Sequence, residues 1–465
     1  MPAQPRLTGG EVLRKLVHMG VGLIALVMPF LGAAWSALCA LTAVLGNLFV
    51  LPHIGGRRLW REHESARGAS QGIVLYPLAV LLLILAFWPR LEIAAGVWGI
   101  LAFGDGMASL VGMGLGGPRL GWNPRKTWSG FAAYVLFGGL GCWGLVGWMR
   151  LHAGEGSEFG AIAWGFLAIA SFATALLAGF VESLDLGLDD NIRVPLIAGL
   201  TLLGLLQSQA YWASVDLGPL LHAALIGGAV NLVLAGAGYA ARSVNRSGFV
   251  AGWLIGTTIF TFLGWSGYLV LLAFFVGGTA ATKLGYQRKA KAKLAQEGGG
   301  RRGAKHALAN TLAPAIAAVF AATAASPLLD VGLLYRLGFV AAFATALGDT
   351  LGSEIGQLYG RRTFLITTLK PVPRGTEGAV SLEGTLAGLA GSLAVAALGA
   401  ALGLYGAMGV AIVTVAAFLG TTLESLIGAT LEARGWLDNE AVNFLNTLTG
   451  ALLAAGLGAL LLPGG

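Results

Sequence analysis

Two short stretches of an otherwise apolar sequence place carboxylates where they could do chemistry. Asp105 lies in AFGDGMASLVGMGLG (102–116), and Asp349 lies in LGDTLGSEIGQLYG (347–360). An ionised carboxylate inside a membrane helix costs about 2.5–3.5 kcal/mol even on insertion scales, so its retention asks for a partner or a role. Asp105 and Ser109 share a helix face, as do Asp349 and Ser353, and Glu354 adds a second carboxylate. Basic segments follow. NPRKTWSG (123–130) holds Arg125, Lys126, Thr127 and Gly130, and LKPVPRGTEGAVSLEG (369–384) holds Lys370, Arg374, Gly375 and Thr376. Further on, Glu182 and Glu424 each close an apolar stretch ahead of an acidic, amide-bearing loop with Asp190–Asn191 or Asp438–Asn439. A few oxygen ligands suit Mg²⁺, which keeps room for water and substrate phosphates. Lysine, arginine and glycine-rich loops suit phosphate. Together these residues describe a metal–nucleotide site at a membrane edge. Its candidate metal ligands are Asp105, Glu182, Asp190, Asp349, Glu354 and Glu424. No GxxxxGK[ST] sequence is present, so a nucleotide would be held in another way.

The elements that must position these groups are membrane helices. The 465 residues are 56% hydrophobic and 11% charged, against about 25% charged in soluble proteins. Hydropathy predicts an all-α integral membrane protein with about fifteen spans. Alternating sides then put every Lys and Arg except Arg90, Arg150 and Arg336 on one face. By the positive-inside rule that face is cytoplasmic, with the N-terminus and the polar motifs on it and the C-terminus outside, in a cell membrane. The formal charge of +7 is therefore topological, and nucleic acid is not an expected partner. The opening MPAQPRLTGGEVLRKLVHMG reads as the start of a retained first helix rather than a cleaved signal. Cys39 and Cys142 form no metal or disulfide pattern.

The polar motifs also recur in order, which points to an internal duplication. Gly104–Asp105 matches Gly348–Asp349, Ser109 matches Ser353, and Gly112 matches Gly356. Lys126 and Lys370 each follow their aspartate by 21 residues. Glu182–Ser183 matches Glu424–Ser425, and Asp190–Asn191 matches Asp438–Asn439 across a six-residue insertion. The expected organisation is two parallel seven-helix repeats, 1–215 and 248–465, joined by a returning helix within 216–247. Parallel repeats weaken a transporter built on inverted ones. Each residue also has a plainer reading. Asp105 could tie helices together, Arg125 and Lys126 could anchor topology, Glu182 could cap a helix, and His18 could be merely interfacial.

The first half resembles the dolichol kinase and phytol kinase family of CTP-dependent polyprenol kinases, which is related more distantly to phosphatidate cytidylyltransferases. The resemblance rests on EVLRKLVHMGVG with Arg14, Lys15 and His18, on Gly104–Asp105, on Lys126–Thr127 with Gly130, and on Glu182–Ser183 before Asp190–Asn191. This chain has KTWSG where many polyprenol kinases carry Glu after the Lys-Ser/Thr pair. The second half resembles the family containing plant phytyl-phosphate kinase. Its matching segments are VNRSGFVAGWLIG, TKLGYQRK, RRGAKHALANTLAP, GDTLGSEIG, LKPVPRGTEGAVSLEG and EAVNFLNTLTGALLA. In that half RGTEG could align with KTWSG in place of Lys370 with Lys126.

The resemblance implies a fusion of two consecutive kinases, turning a phytol-like isoprenoid alcohol into its monophosphate and then its diphosphate. CTP would be the donor and Mg²⁺ the cofactor, with membrane lipid around the tail. Asp105, Lys126, Asp349 and Lys370 would be catalytic, with either aspartate acting as metal ligand or base. Arg14, Lys15, His18, Arg125, Thr127, Gly130, Asn191, Arg374, Gly375, Thr376 and Asn439 would hold nucleotide or phosphate. The extra arginines of the second half, Arg361, Arg362 and Arg374, suit a charged acceptor. Two other activities compete with this reading: a cytidylyltransferase making a CDP-lipid, and a cation-coupled transporter using the carboxylates as its ion site.

Overall fold

A computed structural model describes residues 9–51, 53, 71–154, 156–184, 187–291, 302–326 and 329–462. The basic segments at 54–70 and 292–301, the first eight residues, and Asp185 of the acidic loop lie outside the described residues. Among the described residues eleven helices are long and apolar enough to cross a membrane, and Gly72–Ala86 is a shorter apolar one. Large apolar side chains such as Phe30, Ile169, Leu225 and Val233 are exposed on them. That pattern suits a surface bathed in lipid and would be an aggregation liability in water.

The chain packs as two units, Met1–Gln209 and Ala210–Gly465. The first contains α1 (Gly9–Val50), α2 (Gln71–Ala86), α3 (Leu91–Gly114), a hairpin of β1 (Arg119–Leu120) and β2 (Asn123–Thr127), then α4 (Trp128–Leu151), α5 (Trp164–Ser183) and α6 (Asp190–Gln207). The second contains α7 (Leu217–Ala240), α8 (Arg246–Lys283), α9 (Ala304–Thr323), α10 (Val331–Tyr359), a hairpin of β3 (Thr363–Leu365) and β4 (Ala379–Ser381), then α11 (Leu382–Ala401), α12 (Ala407–Glu432) and α13 (Asn439–Leu461). From α1 and from α8 onward the element order is the same.

The expectation of about fifteen spans and the eleven helices differ partly because of two glycines. Within α8, Gly264 takes φ +57° and ψ −149°, which no helix contains. A Cβ on Gly248 would lie 2.3 Å from the Arg302 carbonyl, and one on Gly278 would lie 3.0 Å from the Arg302 guanidinium. A straight helix would hold those glycines about 45 Å apart, so α8 doubles back on itself. Gly32, at φ +68°, breaks α1 in the same manner. Its first limb reaches from Lys15 to Leu26, whose carbonyl accepts from Trp148 at the far end of α4. Its second limb returns Asn47 to the Ile73 carbonyl at the start of α2. One hydrogen-bonded element thus carries two apolar windows.

The returning helix α7 packs with the second unit. The Tyr268 hydroxyl donates to Asn231 Oδ1 at 2.8 Å, and the Trp253 indole donates to the Gly228 carbonyl at 2.9 Å. The two hairpins are an addition to the all-helical expectation. Both stand where the sequence reads as a basic loop.

Candidate functional site

In each unit a seam of small residues brings the aspartate-bearing helix against the helix after the hairpin. A Cβ on Gly130 would meet the Ala108 carbonyl at 3.0 Å, and one on Gly384 would meet the Gly352 carbonyl at 2.5 Å. Such contacts let backbones approach to a degree that larger residues forbid. The hairpin ends on a capping residue, Thr127 or Ser381, whose hydroxyl accepts from the amide of Gly130 or Gly384 at 3.1 Å. A π-helical turn, Ile100–Gly104, stands directly before Asp105, and another, Gly428–Glu432, follows Glu424. Such turns recur at functional sites.

The predicted residues of the first unit fall into two clusters. In one, Lys15 donates to Asp105 at 2.7 Å, and His18 Nε2 lies 3.7 Å from the same carboxylate oxygen. The His18 ring nitrogen also pairs with the Leu101 carbonyl at 3.0 Å, and the ring packs 4.1 Å from that of Tyr76. Arg14 is engaged by Glu11 at 2.6 Å and does not join them. In the other cluster Lys126 Nζ lies 2.6 Å from Glu182 and 4.0 Å from Asp190, and Asp190 also pairs with Arg193. Asn191 bonds the neighbouring Asp189 carboxylate. A cavity of about 190 Å³ is lined by Arg119, Arg125, Lys126, Thr127, Gly130 and Glu182, among others. Asp105, Lys15 and His18 do not line it, although Asp105 is within electrostatic reach of Lys126. The half-buried Asp105 and Glu182 carboxylates are each compensated by a lysine from another element. Burying such a pair is close to neutral, but removing one partner strands the other.

The second unit holds a cavity of about 840 Å³. Asp349, Glu354, Glu424, Arg374, Gly375, Thr376 and Asn439 all line it, as the sequence predicts. Asp349 and Glu424 lie within electrostatic reach of each other on the wall of this cavity, like charges that a bound cation would compensate. Arg302, His306 and Asn310 of the segment entering α9 also reach the wall, and the sequence reading missed them. Burial pushes the Arg302 guanidinium below its usual range, and nearby Glu354 opposes that shift. Gly378 lets the hairpin loop press on α12, where an added Cβ would fall 2.4 Å from that of Ala429.

Lys370 is not brought to this cavity. It is exposed in the connection 366–378, beside Leu369 at φ +54°. The caps give the correspondence: Thr127 matches Ser381 and Gly130 matches Gly384, so Val380 stands where the first unit has Lys126. Neither Lys370 nor RGTEG occupies that place. The cause is loop length, since residues 121–122 join β1 to β2 whereas 366–378 join β3 to β4. Arg193 and Tyr134 also belong to the first site without having been predicted. Tyr134 was hidden in an apolar helix, while Arg193 was visible in NIRVPL.

Among the described residues no three His, Cys, Asp or Glu groups converge as a ready-made metal cage. Mg²⁺ does not need one, because one or two carboxylates plus phosphate and water complete its shell. The Asp349–Glu424 pair fits that requirement.

The family described as integral membrane protein DUF92 matches residues 229–451. An uncharacterized membrane protein of Synechocystis is 48% identical over 213 residues, 46% of this chain and 81% of the relative. Protein VTE6 of Arabidopsis thaliana, chloroplastic, is 37% identical over 214 residues, 45% of this chain and 64% of the relative. A probable phytol kinase of Oryza sativa is 29% identical over 197 residues, 39% of this chain and 62% of the relative. A farnesol kinase of Arabidopsis thaliana matches at 29% over 202 residues, 64% of its length. The chain thus spans less than two thirds of these plant relatives. No solved structure gives a significant match.

Proposed function

The chain belongs to the integral membrane protein DUF92 family, and from that premise we propose that it is an isoprenoid alcohol kinase working in two steps. The first unit converts a phytol-like alcohol to its monophosphate, and the second converts the monophosphate to the diphosphate. The observation that carries this reading is the recurrence, in each unit, of carboxylates from two helices beside a cavity and a basic hairpin at one helix end. Relatives named phytol kinase and farnesol kinase support the class of activity.

The acceptor is lipid-soluble and the donor water-soluble, so their reacting ends meet where the helices end at the hairpins. A nucleoside triphosphate with Mg²⁺, CTP by the resemblance, supplies the phosphoryl group and a divalent charge when bound. In the second unit Asp349 and Glu424 would hold the metal. In the first, Glu182 and Asp190 would do so once Lys126 turns from them to the transferred group. Arg119 and Arg125 stand on the hairpin to take the outer phosphates, as Arg302 and Arg374 do in the second cavity. The alcohol oxygen forms the new bond to phosphorus, and the bond to the nucleoside diphosphate breaks. The hydroxyl proton passes to a carboxylate, Glu182 at the wall or Asp105 beside Lys15. In the second unit the attacking oxygen belongs to a phosphate and no alcohol proton need be removed. Phosphoryl transfer of this kind is mainly positioning and charge stabilisation. The basic helix ends would face the cytoplasm or its organellar equivalent.

The test uses purified protein with phytol, radiolabelled CTP and Mg²⁺. Asp105→Asn is expected to make no monophosphate, and Asp349→Asn to accumulate it. Diphosphate output untouched by Asp349→Asn would sink the second assignment, and release of pyrophosphate in place of CDP would mark a cytidylyltransferase instead.

A further inference from the structure

The two cavities end at different depths, and the difference falls on one residue. Aligned by their capping residues, α4 and α11 carry Tyr134 and Gly388 at the same place, one helical turn inward from Gly130 and Gly384. Tyr134 is 1% exposed, with its ring against both Gly104 and Gly179. Its hydroxyl has no hydrogen-bond partner among the described residues. It stands within electrostatic reach of Asp105, Glu182, Asp190 and Arg193, between the two clusters of the first site. The lining of the first cavity stops at Gly130 and Phe131, short of this ring. The second cavity continues past Gly388 to Ser392, with Asn310 and Asn443 on its wall. Position 388 admits no side chain as the helices stand, because a Cβ would lie 2.7 Å from the Gly348 carbonyl oxygen.

Neighbouring positions change in the same sense. Counted from the capping residues Asp189 and Asp438, Arg193 is replaced by Val442, and Val194 by Asn443. One turn beyond Asn443, Asn446 is 2% exposed with neither amide atom paired among the described residues. The second unit has exchanged a bulky ring and a cation for depth and amide groups.

We infer that the inner part of the second cavity, around Gly388, Ser392, Asn310 and Asn443, is the subsite for the phosphate its acceptor already carries. Tyr134 closes the equivalent space in the first unit, where the acceptor carries no phosphate and needs no such room. This rests on the two-step reading above. If transfer occurs beside Asp105 and Asp349 in each seam, a phosphorylated acceptor needs one phosphate more of room between the transferred group and the prenyl tail. Amide N–H groups donate to phosphate oxygens, and a backbone without Cβ lets them approach closely.

The experiment uses the full chain in lipid nanodiscs with two separate assays, prenol to monophosphate and supplied prenyl monophosphate to diphosphate. Tyr134→Ala, which removes the ring that closes the first cavity, is expected to lower kcat/KM for the alcohol at least tenfold and leave the monophosphate assay unchanged. Asn443→Asp, which sets a negative charge in the inner subsite, is expected to raise KM for the monophosphate at least tenfold and leave the alcohol assay unchanged. The untouched assay in each case reports that the protein is folded. Both variants remaining within twofold of wild type in both assays would overturn the inference, as would losses shared equally by the two assays. A wild-type protein that lacks either conversion overturns the two-step reading and this inference with it.

Discussion

Asp105 and Asp349 occupy the same place in matching glycine seams, yet their neighbours are opposite in charge. Asp105 meets Lys15 at 2.7 Å with His18 beyond, while Asp349 has the Glu424 carboxyl group within electrostatic reach. The first carboxylate brings its own counter-charge from α1. The second faces another carboxyl group, and a cation arriving with substrate would compensate the pair. A shared seam therefore fixes where a carboxylate stands and leaves its electrostatics to the helices packed around it.

That contrast can be broken at several points. The largest effect is expected from Glu424→Gln, which should lower diphosphate formation by about 10²–10³-fold, the scale of losing one electrostatic stabiliser. Because it relieves a like-charge contact, the thermal midpoint in detergent should not fall. A drop in that midpoint would mean the pair is structural. Lys15→Met should do the reverse, lowering the unfolding midpoint by leaving the half-buried Asp105 carboxylate without its counter-charge. Adding Asp105→Asn should recover most of that loss, and thermal unfolding of the two variants and their double mutant measures the coupling. Gly130→Ala should cost about 1–3 kcal/mol by forcing a methyl group onto the Ala108 carbonyl. Its readout is again the unfolding midpoint, and an unchanged value would show that the seam has slack. Lys370→Gln should change either activity by less than twofold, since exposed charges contribute little. A loss comparable to that of Lys126→Gln would restore the sequence pairing of these two lysines.

Much of the site was legible because carboxylates and cations stand out against an apolar chain. Asp349, Glu424, Arg374 and Thr376 were named from residue type and order, and one cavity gathers them. Counting failed where loop length varied. The interval of 21 residues from each aspartate pairs Lys126 with Lys370, whereas TWSG and SLEG, each a capping hydroxyl three residues before a glycine, mark the true correspondence. The hairpins escaped notice because strands of two to five residues, one of them interrupted by Pro124, carry no period-two signal. Tyr134 was unreadable for another reason. A buried tyrosine in an apolar helix looks like packing until its hydroxyl is found unpaired.

The doubled helix α8, broken at Gly264, bears on topology through parity. A segment whose two ends meet the same residue, Arg302, returns the chain to the side it left. It contributes an even number of crossings, so the side on which the following cavity opens does not depend on it. A change in the length of this doubled segment would therefore leave the facing of the α10 and α12 carboxylates unchanged. The depth of membrane a unit spans and the side on which it works are thereby set by different parts of the chain.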